Sequence, residues 1–502
     1  MAVLGALYPA RTSAQEEMTP STAALPVSPP LSADHWAVRA AARAEALGLV
    51  ERYLPAQRSA PRAAVGAALL EAATRAPEEA PEVAALASAW LARFAEEFPE
   101  SAFERAGGVQ LLGSTAWAGY EGRSGVAAPG SQMFQFRQGI TVLPDRSTPE
   151  GGAELAVALT RHLSAVVEPH ATRYEAELAR WEVAAGTGPW ALSVGREPVG
   201  YGPAASGGVV FTGGVALPRV ELQTTRPVVF PGVLRHLGPV SFHTFATRLY
   251  EPRHRGDPYL WGARGALRLH PRFTVGVSRG SIFGGDSVPT PVSLKSLASM
   301  LVGILSDDFE NQIVSMDFRY RVPSEAVLPL TLYLEWGADD GAGAWWDVPG
   351  RVMGAQVPAL PGLPQVVAGA EYTTFGALCC GNPGWYLHAN QPGGWAARDV
   401  ALGHPLGGEG SELLVYASAD LLRARVRVDA RGFRRDRGVE GYHTYNRAGN
   451  VFAPERAGES FGAAADVAWR ATPRSEVRVT ASREAGEGWS AGELRAFVSM
   501  LF

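Results

Sequence analysis

Aromatic rings set beside amides and carboxylates are the first residues in this chain able to do recognisable chemistry. Trp345, Trp346 and Asp347 fall in one segment, and Trp385, Tyr386, His388, Asn390 and Trp395 in another. Sugars lay their apolar faces on such rings while polar side chains bond the hydroxyls, so both segments are candidate saccharide contacts. Loop packing or a membrane interface would use the same rings. A second set mixes both charge signs: Arg196, Arg253, Arg264, Arg279, Asp317, Arg319, Glu335 and Glu371. Sharing one enclosed face, these groups would pair into a ladder bracing it, or take an anionic sugar through two-pronged arginine bonds.

Glu335 and Glu371 also have the chemistry of a paired-carboxylate glycosidase. The sequence gives no distance between them, and it carries no compelling nucleophile elbow, zinc-binding HExxH or phosphate loop. No catalytic residue is expected. The acidic run Asp307, Asp308 and Glu310 lacks the alternating ligands and turn glycine of a calcium loop. Cys379 and Cys380 are adjacent, an arrangement short of thiolates for a metal site and strained as a disulfide. No metal or cofactor is expected.

The elements that must position these residues follow from the rest of the chain. At 502 residues it exceeds one ordinary soluble core, so two or more folding units are expected. A net charge of −5 argues against a nucleic-acid partner. No stretch approaches the ~18 apolar residues of a transmembrane helix, but a β-barrel needs apolar residues only at alternate positions. Met1 to about Glu17 reads as a signal peptide clipped at its start, and residues 18–31 as a flexible linker.

From residue 32 to about residue 100 the period is helical. Ser32 or Asp34 is placed to cap a helix with Trp36, Ala40, Ala44 and Leu47 that stops near Gly48. A second, after Pro61, carries Val65, Leu69 and Ala72 on one side, and a third carries Val83, Leu86, Trp90, Phe94 and Phe98. Together they predict a small bundle.

Over residues 107–502 the period becomes two. Leu422, Ala424, Val426, Val428 and Ala430 alternate with Arg423, Arg425, Arg427, Asp429 and Arg431, and Val314 to Val322 alternate with Ser315, Asp317, Arg319 and Arg321. No propeller-length repeat appears. Trp117, Trp181, Trp190, Trp261, Trp336 and Trp469 lie in or beside strands, as interfacial girdles require. The last strand ends on Phe502, like the signal that outer-membrane barrels present to the assembly machinery. At roughly 20–25 residues per strand and connection, this region holds on the order of 16–18 antiparallel strands. The expectation is a mainly β fold: a large transmembrane barrel among outer-membrane lipids, preceded by the helical bundle. Leu294 to Leu305 reads as an amphipathic insert able to fold into the lumen and plug it.

An ordered set of short segments resembles the capsule-assembly Wzi family. It runs from Leu192–Arg196, Gly200–Pro203 and Val215–Pro218 to Tyr250–Arg253, Leu260–Arg264, Leu269–Pro271 and Gly276–Arg279. It continues through Gly284–Asp286, Asp317–Pro323 and Glu371–Thr373, while His35–Ala37, Gly48–Leu49 and the Arg58 to Ala72 helix resemble the family's helical part. Leu378 to Gly410 and the end of the barrel match poorly. The resemblance implies an eighteen-stranded outer-membrane barrel with its helices in the periplasm and its long loops outside. It implies a non-catalytic, lectin-like role in holding capsular polysaccharide or exopolysaccharide. The alternative on the same architecture is a porin or substrate-specific channel.

Overall fold

The computed structural model describes residues 27–98, 109–125, 147–251, 254–286, 288, 291–302, 310–325, 327–339, 349–376, 385–386, 388, 391, 393–398, 400–407, 410–437 and 458–502. Three helices come first: α1 (Trp36–Ala46), α2 (Arg62–Glu79) and α3 (Pro81–Glu97). The cap of α1 is His35, whose ring accepts from the Ala37 amide; Ser32 instead donates to Asp34, so neither expected cap residue serves. Gly48 ends the helix at φ +82, a conformation that suits a residue without Cβ, while the Leu49 amide returns to the Ala44 carbonyl at 2.9 Å. The face carrying Ala40, Ala44, Val65, Leu69, Val83, Trp90 and Phe94 is buried as one core. Residues 27–31 are not a free linker. Val27 and Leu31 are buried, and Pro30–Leu31 pairs with Ala60–Pro61.

Among the described residues, eighteen antiparallel strands close a barrel. They are β1 (Gln110–Gly125), β2 (Thr148–Thr160), β3 (Leu163–Thr172), β4 (Ala176–Thr187), β5 (Trp190–Gly200) and β6 (Thr212–Thr224). Next come β7 (Val240–Arg248), β8 (Tyr259–His270), β9 (Phe273–Phe283), β10 (Glu310–Val322), β11 (Leu330–Asp339) and β12 (Gly350–Val357). The last are β13 (Val366–Phe375), β14 (Gly410–Leu421), β15 (Val426–Arg437), β16 (Gly458–Thr472), β17 (Ser475–Gly486) and β18 (Trp489–Leu501). Each pairs with its sequence neighbour, and β18 pairs with β1 through Leu494↔Gly122 and Val498↔Ala118. The final strand is therefore bonded on both sides, and Phe502, itself exposed, donates its amide to the Ser114 carbonyl.

Alternation sorts the side chains. Leu192, Val194, Leu413, Val415, Leu494 and Val498 are exposed on the outer wall, whereas Glu197, Glu221, Asp317, Glu335, Glu412 and Glu484 are buried inside. Trp181, Trp190, Trp261, Trp336 and Trp469 share the outward parity. Trp117 does not: it stacks on His170 and meets Phe497 edge-on, both inward residues.

The two ends differ. At the end covered by the helices, connections such as 161–162, 188–189 and 473–474 are tight turns, 225–239 being longer; from the other end rise the described residues of 201–211, 249–258 and 385–407. A fourth helix, α4 (Leu294–Val302), falls in the expected insert but lies against the outside. Its Leu297 and Met300 pack with Phe283 and the outward Trp261, while Leu294 is exposed. It does not plug the lumen.

Candidate functional site

Five of the eight expected ladder residues face the lumen. Arg264 grips Asp317 with both terminal nitrogens, the Nη2–Oδ1 distance being 3.0 Å. Arg319 reaches past the strands to Glu45 of α1. Glu335 accepts from Ser315 Oγ at 2.8 Å and from the Val209 amide at 3.1 Å. Glu371 accepts from the Ser206 amide at 2.9 Å, from the Ala205 amide and from Tyr333 Oη at 2.6 Å. These two carboxylates, weighed above as a glycosidase pair, thus hold backbone amides of one loop. Arg196 and Arg279 are corrections. They share parity with exposed Val194 and Val277: Arg279 pairs on the outer wall with Gln312 at 2.6 Å, and Arg196 meets Glu177 at 2.8 Å at the rim, where Arg398 also reaches that carboxylate at 3.3 Å. Near the end of a strand, the outer wall tolerates a charge that its middle would not. Arg253, Asp307 and Asp308 lie outside the described residues.

The ladder is larger than expected. Arg180 bridges Glu197 and Glu168, and Arg435 joins Glu412 and Glu484. Their signal was the same alternation of charge with apolar residues read for β15.

What fills the long-loop end is a pair of interlocked loops. Residues 201–211 dip inward and bury Tyr201, Val209, Val210 and Phe211. Residues 385–407 lie over them. Trp395 donates Nε1 to the Val210 carbonyl at 2.7 Å, and Tyr386 donates its hydroxyl to the Val209 carbonyl at 2.7 Å. Trp385 meets Phe375 edge-on at 5.1 Å. The two tryptophans sit where a Cβ would intrude: at Gly280 it would come within 2.6 Å of Trp395, and at Gly350 within 2.9 Å of Trp385. His404 links the layers, with Nε2 2.8 Å from Ser206 Oγ and Nδ1 accepting the Leu406 amide at 3.1 Å. Burial lowers its pKa to about 4.

Trp385, Tyr386 and Trp395, expected to meet a saccharide, are therefore 1%, 0% and 1% exposed and form the core of this plug. Their apolar area is already spent on loop packing, so they offer no face to stack on. His388 is half-buried in a turn with Gln391. Asn390, Trp345, Trp346, Asp347 and the Cys379–Cys380 pair lie outside the described residues.

The helices close the opposite end. Arg43 donates to the Pro358 carbonyl at 2.7 Å and to Asp420 at 3.1 Å; Arg62 to the Leu112 carbonyl at 2.8 Å and Glu154 at 2.8 Å; Arg93 to the Ala424 carbonyl at 3.0 Å and Glu476 at 2.7 Å. Burial lowers the Arg43 pKa to about 10, against the pull of Asp420. Glu97 takes Trp36 Nε1 at 2.8 Å and lies 3.2 Å from His35 Nε2. Burial alone would raise its pKa, but His35, Arg93 and Trp36 together hold it at about 2.

With both ends filled, the long-loop end offers its rim. An open depression of about 590 Å³ is lined by Tyr250, Glu251, His254, Arg255, Asp257 and Asp286. Tyr250 is 69% exposed and lies 5.1 Å from the Arg248 guanidinium, which donates to the Asp257 carbonyl at 2.8 Å. An exposed ring beside carboxylates and cations has the composition that the buried tryptophans were expected to supply. A single tyrosine in a short connection gives a weak signal in sequence, although Tyr250 and Glu251 belong to the segments carrying the resemblance.

A family model described as capsule assembly protein Wzi matches residues 143–491. Among solved structures, the fold is similar to Wzi of Escherichia coli, an outer-membrane protein involved in group 1 capsule assembly and a carbohydrate-binding β-barrel. The TM-score is 0.69 at 14% identity, covering 95% of this chain and 99% of that one. OprD of Pseudomonas aeruginosa matches with a TM-score of 0.46 and 11% identity over 78% of this chain and 95% of that one. OccD3 (OpdP) of the same organism gives 0.48 and 10%, over 79% of this chain and 91% of that one. Curated protein sequences return no match.

Proposed function

This chain belongs to the family of the capsule assembly protein Wzi, and from that premise we propose that it is an outer-membrane barrel holding capsular polysaccharide or exopolysaccharide at the cell surface. The helical bundle then lies in the periplasm, the long-loop rim faces outward, and the apolar wall meets lipid. The observation that carries this reading is the double closure of the lumen. Among the described residues, loop 201–211 and the packed part of 385–407 fill one end and the helices the other, so a polymer meets a filled end with an exposed tyrosine at its rim. A diffusion channel would leave that space open. Binding without chemistry fits Glu371, both of whose oxygens are taken up by loop amides and the Tyr333 hydroxyl, and Glu335, whose Oε1 holds the Val209 amide and the Ser315 hydroxyl.

The proposed contact is the depression around Tyr250, Arg255 and Asp257. The ring would take the apolar face of a sugar, and the carboxylate its hydroxyls. Trp345, Trp346 and Asp347, which fall between β11 and β12 in the sequence, are proposed to extend this surface. The C-terminal strand, ending at Phe502, is proposed as the signal read by the barrel assembly machinery.

The test replaces Tyr250 and Asp257 with Ala and measures polysaccharide retained on cells. Lower retention with normal amounts of folded barrel supports the assignment. Full retention in the double variant and in a Trp345→Ala/Trp346→Ala variant removes the rim from the account.

A further inference from the structure

The outer wall carries one element that closing the barrel does not require. Two serines start α4 (Leu294–Val302): Ser296 Oγ accepts the Ser293 amide at 2.8 Å, and Ser293 Oγ accepts the Ser296 amide at 3.1 Å, a reciprocal cap. At about 100° per residue, Leu297 and Met300 share one side of the helix, and this side is seated on Phe283 and Trp261. Leu294 and Leu301 recur on the flank beside it, and they are 88% and 58% exposed. The opposite flank carries Ser296 and Ser299. From residue 291 to residue 301 the one charge is Lys295, which is also the single lysine of the chain. So short a helix is marginal in water on its own, and its stability rests on what its sides meet.

The neighbours of α4 mark its height on the wall. Trp261 is outward, and beside it Tyr259 and Phe283 stack with ring centroids 5.6 Å apart. Arg279, also outward, bonds Gln312 at 2.6 Å and Glu310 at 3.4 Å. Rings and charges on the outside of a barrel sit at the edge of its apolar band, level with the headgroups. Towards the middle of the wall, Val277 of β9 and Val220 of β6 are exposed. The two bare leucines of α4 thus continue an apolar surface that already faces outward.

We propose that α4 is an interfacial helix. It lies in the headgroup layer of the leaflet at the long-loop end, with Leu294 and Leu301 on the acyl chains and Lys295 among the lipid phosphates. The proposal rests on the reading of the apolar wall as lipid-facing. Asp286, in the segment leading to α4, lines the rim depression and donates its amide to the Arg255 carbonyl at 3.1 Å. A helix held by lipid therefore keeps the proposed saccharide contact close to the leaflet.

The test uses the full chain in phosphatidylcholine vesicles whose lipids carry a nitroxide either high or low on the acyl chain. In a Cys379→Ser/Cys380→Ser background, a fluorophore is placed through Leu294→Cys, Leu301→Cys, Val415→Cys or Glu82→Cys, one at a time. Val415 is exposed midway along β14, and Glu82 is exposed on α3. Positions 294 and 301 should be quenched at least about twice as strongly by the high nitroxide as by the low one, as for a face sunk roughly 5–10 Å into the interface. Position 415 should respond more to the low nitroxide, and position 82 to neither. Quenching at 415 without quenching at 294 and 301 overturns the assignment of α4 and leaves the lipid contact of the wall standing. No quenching at 415 removes the lipid-facing wall, and the assignment of α4 with it. Protection of 294 and 301, together with dimers cross-linked through them, places a second copy of the chain on the helix and overturns the proposal. Should the serine background fail to fold, a fluorophore on Lys295 of the unaltered chain decides, the terminal amine, which titrates lower, being blocked first. Absence of quenching there by the high nitroxide overturns the proposal.

Discussion

The Tyr386 hydroxyl donates to the Val209 carbonyl at 2.7 Å and accepts the His404 amide at 3.0 Å, tying one loop of the plug to the other. Removing that oxygen leaves a buried carbonyl and a buried amide without their partner, at a cost of about 1–3 kcal/mol each. Tyr386→Phe is expected to loosen the plug while the barrel stays closed. In planar bilayers the parent protein should give no steady current, and the variant should give brief openings. A silent variant would mean that other contacts suffice.

Acid should act on the same joint. His404 has a folded pKa of about 4, below its ordinary 6.5, because burial opposes its charge. Its contribution is fully present above pH 6.5, declines as pH falls, and is lost once pH passes about 4. Protonation also removes the acceptor that Nδ1 offers to the Leu406 amide. Conductance should therefore rise on acidification between those values, and His404→Gln should flatten the response.

Glu97 works in a lower window. Its folded pKa of about 2 lies beneath the usual 4.5, so it stabilises the bundle above pH 4.5 and ceases to as pH drops towards 2. Glu97→Gln should remove that part of the acid dependence, read from Trp36 fluorescence.

The floor is most sensitive at Arg43. Among the described residues, Arg43→Met leaves Asp420 facing Arg427 alone, at 3.6 Å, and leaves the Pro358 carbonyl without this donor. Breaking a buried pair from one side costs about 3–5 kcal/mol. The temperature at which the folded band is lost on gels should fall, while Arg75→Met, whose partners Glu71 and Glu79 are on an exposed helix face, should leave it nearly unchanged.

How far the sequence was readable depended on whether an element's pattern had one physical meaning. Val426 to Arg431 alternate because one side of β15 is apolar and the other wet, and nothing else produces that period over so many strands. The three helices were equally plain. The girdle failed at Trp117, where parity along one strand does not say which face is inside until Phe497 and His170 are seen beside it. Arg196 and Arg279 failed for a related reason: near the strand ends, charges occur on both faces. The loops misled most. Trp385 and Trp395 have the composition of a sugar platform and of a packed plug alike, and only glycines opposite them in distant strands, Gly350 and Gly280, distinguish the two.

The helical floor is joined to the wall around its circumference: Arg62 to Glu154 of β2, Gln57 to Gln223 of β6, Glu45 to Arg268 of β8, Arg43 to Asp420 of β14 and Arg93 to Glu476 of β17. These bonds are arranged like spokes from a hub. Flattening the cylinder into an ellipse would stretch some of them while crowding others. The girth at that end is thus set by the bundle as much as by the sheet, and a change in diameter there requires the hub to unseat first.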